Sequence, residues 1–288
     1  MSFTPNTNYD LDTTITTHIE DQAGTGPIDG VITLDVTPAN DLPTATNLTS
    51  TAAYNEGDTS VAIDTIVITD VDTGDTITAT LTLNDVNAGV LTTSGTATYT
   101  PGATTGVWTI TGTVADVNAA LAAMSFTPNT NYDLDTTITT HIEDQAVTGP
   151  ADGVITLDVT PANDPPAITG DLTASLLEAG TYTILAADLG YTDVDNVDTD
   201  ILFTTSAAAN GKIQVGGFDA LTFTGTELTA GQVTFVHDGS ETITAAFNVN
   251  VEDANADASV PVDSTFNFTV TPANDLPTAT NLTSTAAY

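Results

Sequence analysis

Residues Thr76–Leu83 read TITATLTL, and their alternation puts Ile77, Ala79, Leu81 and Leu83 on one face and four threonines on the other. Period two sustained over this length is the pattern of a β-strand with one face in a core and the other in water. The same pattern recurs along the chain: Trp108 and Ile110 in VWTITGTV, Phe247, Val249 and Val251 in FNVNV, and Phe266, Phe268 and Val270 in TFNFTV. The turn signals NEG, NAG, TPG and ANG separate such segments. One stretch breaks the alternation: Val114–Met124, VADVNAALAAM, is rich in Ala and Leu, and with Asp116 as N-cap it predicts a short helix. The fold class is otherwise all-β, with Trp108 a core residue.

The segments repeat. Met1–Ala23, MSFTPNTNYDLDTTITTHIEDQA, recurs unchanged at Met124–Ala146, and PANDLPTATNLTSTAAY occupies both Pro38–Tyr54 and Pro272–Tyr288. A further PAND at Pro161 spaces the boundaries by 123 and 111 residues. The chain therefore reads as the end of a long module (1–40), a complete long module (41–163), a complete short module (164–274) and the first strand of another long module (275–288). Each complete module is large enough for its own core. Because Met1 copies the internal Met124, the protein is expected to continue in both directions.

Thirty-eight acidic residues face a single basic one, Lys212, for a net charge of −37. That balance excludes nucleic acid and anionic membrane surfaces as partners and points to a cation. Cysteine is absent, so disulfides do not brace the modules, and no apolar run approaches the roughly 18 residues of a spanning helix. Many acids gather between strands: Glu56 in YNEGD, Asp70, Asp72 and Asp75 in DVDTGD, Glu143 and Asp144 in HIEDQ. Two carboxylates about 5 Å apart repel by roughly 3 kcal/mol at an effective dielectric near 20, a cost that a divalent cation removes. Oxygen ligands without His or Cys select calcium or magnesium, and many oxygens on flexible loops favour calcium. A lone Asp-x-Asp is equally a turn device, but here the acids recur at the same module positions. His237, beside Asp238, Ser240 and Glu241, reads as structural, and His18 and His141 are copies of one strand residue, so no catalytic residue and no enzyme is expected.

Asp-x-Asp near the start of each module, an acidic pair closing a late strand and Asn-Asp with Pro close behind at each boundary resemble tandem cadherin-like repeats. Gly211–Thr242, with its VHDGSET run, resembles the chondroitin-sulphate-proteoglycan type of that repeat. The long module, with DVDTGD, VNAALAAMSFTPN and IEDQ, resembles related repeats that extend very large secreted bacterial adhesins of RTX type. The resemblance implies Ig-like or cadherin-like β-sandwich modules arranged end to end, with Ca2+ between them. Carried over by position, Asn40 and Asp41 would act with Asp70, Asp72 and Asp144. Asn163 and Asp164 would act with Glu56 of the preceding module and with Asp193, Asp195 and Asp253 of the following one. Asn274 and Asp275 would act with Glu178.

One departure is clear: Pro38, Pro161 and Pro272 stand where cadherins carry the first Asp of their linker, which removes a ligand and restricts the backbone. The implied function is that of a structural extender of an extracellular surface adhesin, its partners being neighbouring modules of the same chain. The alternative is a subunit of a self-assembling fibre, sheath or surface layer, in which identical chains meet through threonine faces or edge strands. A carbohydrate-binding module or enzyme rests only on Trp108 and the HDGSE cluster.

Overall fold

A computed structural model describes residues 2–72, 74–206, 208–253 and 261–279 of the chain. Met1, Thr73 and most of the strand expected after Asp275 fall outside the described residues. The chain divides into two compact units, Met1–Ala162 and Asn163–Tyr288.

The first unit opens on an antiparallel hairpin of β1 (Thr13–Thr17) and β2 (Gly30–Leu34). There follow β3 (Thr44–Thr46), β4 (Ser50–Asn55), β5 (Val61–Ala62), β6 (Val67–Thr69), β7 (Ile77–Leu83) and β8 (Gly89–Leu91). Next come β9 (Thr98–Pro101), β10 (Gly106–Gly112), helix α1 (Val114–Ala122), β11 (Ser125–Pro128), β12 (Thr136–Asp144) and β13 (Gly153–Thr160). A large sheet in the order β4-β13-β12-β7-β10-β9 faces a small one, β5-β11-β8, with β3 paired to β6. Ile77, Ala79, Leu81 and Leu83 of β7 are fully buried against Val61, Leu91 and Phe126 from the opposite sheet, so the alternating pattern marks the core face. Trp108 is fully buried too, and its indole N–H donates to the Thr92 carbonyl at 3.0 Å, which satisfies its one polar atom.

Helix α1 forms where expected but its cap differs. Thr113, not Asp116, is the N-cap: its backbone is extended (φ −65°, ψ 157°) and its hydroxyl accepts the Asp116 N–H. Asp116 lies inside the first turn, where its carboxylate accepts the Thr113 hydroxyl at 2.8 Å and faces the positive end of the helix.

The second unit repeats the plan. It runs β14 (Ala167–Thr169), β15 (Thr173–Leu177), β16 (Thr181–Thr183), β17 (Gly190–Thr192), β18 (Leu202–Thr205), β19 (Gly211–Val215) and β20 (Phe218–Asp219). The order continues with β21 (Thr222–Thr224), helix α2 (Gly225–Thr229), β22 (Val233–His237), β23 (Thr244–Glu252) and β24 (Ser264–Thr271). Its sheets are β15-β24-β23-β18-β21 and β16-β22-β19-β20, with β14 paired to β17. In both units an early strand runs parallel to the last one, β4 beside β13 and β15 beside β24, while the other pairs are antiparallel. The two sandwiches therefore share most of their strand order but differ at one edge: β9 extends the large sheet beside β10, whereas β20 pairs with β19 in the small one. The second core is aromatic, with Phe235 stacked on Phe268 at 4.2 Å and Phe247 on Phe266 at 5.2 Å. Helix α2 was not anticipated, although Thr224 and Glu227 form a capping box legible as T-x-x-E.

Candidate metal centre

The Pro-Ala-Asn-Asp segments are wired to the acids residue by residue. The Asn40 side-chain N–H donates to the Asp144 carboxylate at 2.8 Å, and the Asp41 backbone N–H donates to the Asp72 carboxylate at 2.6 Å. In the second unit the Asn163 amide donates to Asp253 at 2.7 Å and the Asp164 N–H to Asp195 at 2.6 Å, the same connections to equivalent residues. The alanine of the segment is held from the other direction. Ala162 N–H donates to the Glu56 carboxylate at 2.9 Å, and Ala273 N–H donates to that of Glu178 at 2.9 Å. Glu56 and Glu178 sit just past β4 and β15, where each backbone N–H continues the parallel ladder onto Thr160 and Thr271.

The Asp-x-Asp loops fold on themselves first. Asp70 accepts the Asp72 N–H at 2.9 Å, and Asp193 accepts those of Asp195 and Asn196 at 2.8 and 2.7 Å. One oxygen of each carboxylate is consumed this way. The other, Oδ2 of Asp70 and of Asp193, is buried without a protein donor, as are Oε1 of Glu56 and Oδ1 of Asn196. A buried acceptor left unpaired costs about 1–3 kcal/mol, more when charged. Three of these four atoms belong to acids singled out from sequence, and the donor set is all hard oxygen, which fits calcium.

Charge is also held close. Desolvation and then the charges of Asp72, Asp70 and Asp144 push the Asp75 carboxyl above the usual aspartate range. Burial likewise opposes the Asp144 charge, but hydrogen bonds from Asn40, Thr148 and Ala146 outweigh it and leave this carboxyl below that range. Asp41, Asp70, Asp72 and Asp144 do not bring three carboxylate oxygens into one tight group, nor do Asp164, Asp193, Asp195 and Asp253. Among the described residues only Glu178, Glu241 and Asp275 do, with oxygens within 4.8 Å of one another. A hydrogen bond from protonated Glu241 to Asp275, followed by the charge of Glu178, raises the Glu241 carboxyl above its ordinary value.

Glu241 was not among the residues expected from sequence. Neither were Asn6, Asn8 and Asp10, which line a cavity of about 240 Å³ together with Asp41 and Asp72. Both sets lie on the same loop of the fold: the 6–10 segment is an identical copy of 129–133, between β11 and β12, and Glu241 lies between β22 and β23. The signal that could have found them is the density of oxygen donors in PNTNYD and HDGSE directly after a strand.

Residues 166–271 match the family model described as Cadherin-like. A comparison with curated protein sequences finds no match. Among solved structures the chain is similar to human mucin-like protocadherin EC1-2, at 14% identity and TM-score 0.42, covering 80% of this chain and 98% of that one. It is also similar to human protocadherin-24 EC1-2, at 13% identity and TM-score 0.39, covering 81% and 100%. A third likeness is to PcdhgB3 EC1-4, at 12% identity and TM-score 0.40, covering 94% and 66%. These likenesses are distant, and the fold rests on the strand order described above. The cadherin-like match covers the second sandwich, and the first shares with it the parallel pairing of an early strand with the last one.

Proposed function

We propose that this chain is an extender segment of a large extracellular repeat protein of the bacterial surface-adhesin kind, in which calcium at the module boundaries stiffens the array. The module boundaries of this reading fall at Asp41, Asp164 and Asp275. Its ligands are Glu56 and Glu178, the Asn-Asp pairs at Asn40, Asn163 and Asn274, and Asp70, Asp72, Asp144, Asp193, Asp195 and Asp253. The observation that supports it best is the recurrence of one wiring at two boundaries, each with a carboxylate oxygen buried and unpaired in the Asp-x-Asp loop. Extracellular modules of this kind bind calcium at roughly 10⁻⁴ to 10⁻³ M, so such sites fill outside cells and not in the cytosol. No helix among the described residues is long and apolar enough to cross a membrane. The role is mechanical and non-enzymatic.

Calorimetric titration of calcium tests the ligand assignment. Asp193→Ala with Asp195→Ala is expected to lower the stoichiometry by the ions of one boundary and leave the remainder unchanged. An unchanged stoichiometry, or a loss of all binding, contradicts the assignment.

A further inference from the structure

We propose that His237 is a positioning residue that sets the geometry of the Glu178 and Glu241 carboxylates, which cluster with that of Asp275. The inference rests on the reading that this cluster takes calcium.

His237 closes β22 and is only 3% exposed. Its Nδ1 accepts two backbone N–H groups, from Ala179 at 3.2 Å and from Gly239 at 3.1 Å. With both donors aimed at Nδ1, the proton of the neutral ring sits on Nε2, which donates to the Thr242 hydroxyl at 3.3 Å. The His237 N–H in turn donates to the Gly180 carbonyl at 3.0 Å. Ala179 directly follows Glu178, and Gly239 and Thr242 bracket Glu241. A single buried ring therefore ties together the two loops that carry two of the three clustered carboxylates. Outer partners of this sort orient metal ligands without touching the metal.

The backbone at Ala179 shows why the ring is needed. Ala179 has φ +54°, the left-handed region that an L-residue with a Cβ adopts at a cost, and the His237 acceptor holds its N–H there. The first sandwich solves the same turn differently. Gly57, at φ +83°, follows Glu56 and carries no such cost, and Pro128, not a histidine, ends β11. That turn is closed within itself by the Asn55 N–H donating to the Asp58 carboxylate at 2.9 Å. Alanine in the turn goes with histidine on the strand, and glycine goes without it.

Calcium titration of the 288-residue chain, followed through the backbone amide signals of Ala179, Gly239 and Asp275 in two-dimensional NMR, tests the inference. His237→Leu is expected to weaken the affinity read at these signals about tenfold. His237→Asn places a carboxamide oxygen near the position of Nδ1 and is expected to retain most of the affinity. Ala179→Gly in the His237→Leu background is expected to recover it, because glycine no longer needs the ring. Parent-like affinity in folded His237→Leu overturns the inference, as does His237→Asn as weak as His237→Leu, or no recovery with Ala179→Gly. Should His237→Leu unfold the second unit, His237→Asn decides: affinity close to the parent's upholds the inference, and a loss of about tenfold in the folded variant overturns it. If the parent shows no calcium response that Glu178→Gln removes, the calcium reading itself falls, a result distinct from a response that His237 variants leave unchanged.

Discussion

Protonated Glu241 donates a hydrogen bond to Asp275, and ionised Glu241 stands against the charges of Asp275 and Glu178. Its pKa in the fold lies above the ordinary 4.5. The stabilising proton is therefore fully bound below that value, and its contribution is lost as pH rises through the raised one. A cation must displace that proton, so calcium affinity falls as pH is lowered through the same range. Glu241→Gln keeps a donor toward Asp275 without the charge. The variant is expected to melt higher than the parent in chelator and to bind calcium about tenfold more weakly at this cluster. Thermal melts in chelator and in millimolar calcium check this, and identical parent and variant curves in both would sink it. Glu178 was legible as a glutamate ending a strand before a turn, whereas Glu241 was not. It reaches the boundary because the loop after β22 returns to the same end of the sandwich as Asp275, a proximity that only the closed fold creates.

Among the elements, strands were legible wherever one face is buried. Every apolar position read from TITATLTL is core in β7, because the period of the side chains is the period of burial. The pattern does not say which strands become neighbours. TTITT is a central strand in β12, with Ile138 fully buried between β7 and β13, but in β1 the same five letters pair with β2 alone and Ile15 is only half-buried. The helix ends were harder to place, since Thr113 and Asp116 are both good cap residues and only the backbone angles separate them.

His141 illustrates a cross-strand device that spacing could not show. On β12 it meets Asp152 at 2.6 Å, and its Nε2 faces Glu143 at 3.4 Å. The Asp152 hydrogen bond, partly opposed by burial, raises the His141 pKa above 6.5. Its contribution is thus fully present below 6.5 and is lost as pH rises through the folded value. Asp152→Asn is expected to lower the His141 midpoint toward 6.5, read from imidazole signals in an NMR pH titration. A midpoint that does not move would show that Asp152 does not hold the charge.

For the molecule as a whole, a net charge of −37 makes the chain self-repelling, and the acids proposed as calcium ligands lie in loops beside the Asn-Asp pairs. The apolar clusters contain none of those acids, being built from Trp108, Phe126 and their neighbours in one unit and from stacked phenylalanines in the other. Removing calcium should therefore loosen the array before it melts either sandwich. The array was readable from the identical copies, and the all-β class from the alternation. The grouping of Asn40 with Asp144 and of Asn163 with Asp253 came through the resemblance alone, because partners 104 and 90 residues apart share no local pattern, and their direct hydrogen bonds appear only in the fold. Small-angle X-ray scattering of the chain, with far-ultraviolet circular dichroism on the same samples, tests the central claim most directly. In millimolar calcium the curve should be that of a stiff particle, and in excess chelator it should show flexibility and a changed maximum dimension while the strand signal stays constant. Superimposable scattering curves in the two conditions would contradict it.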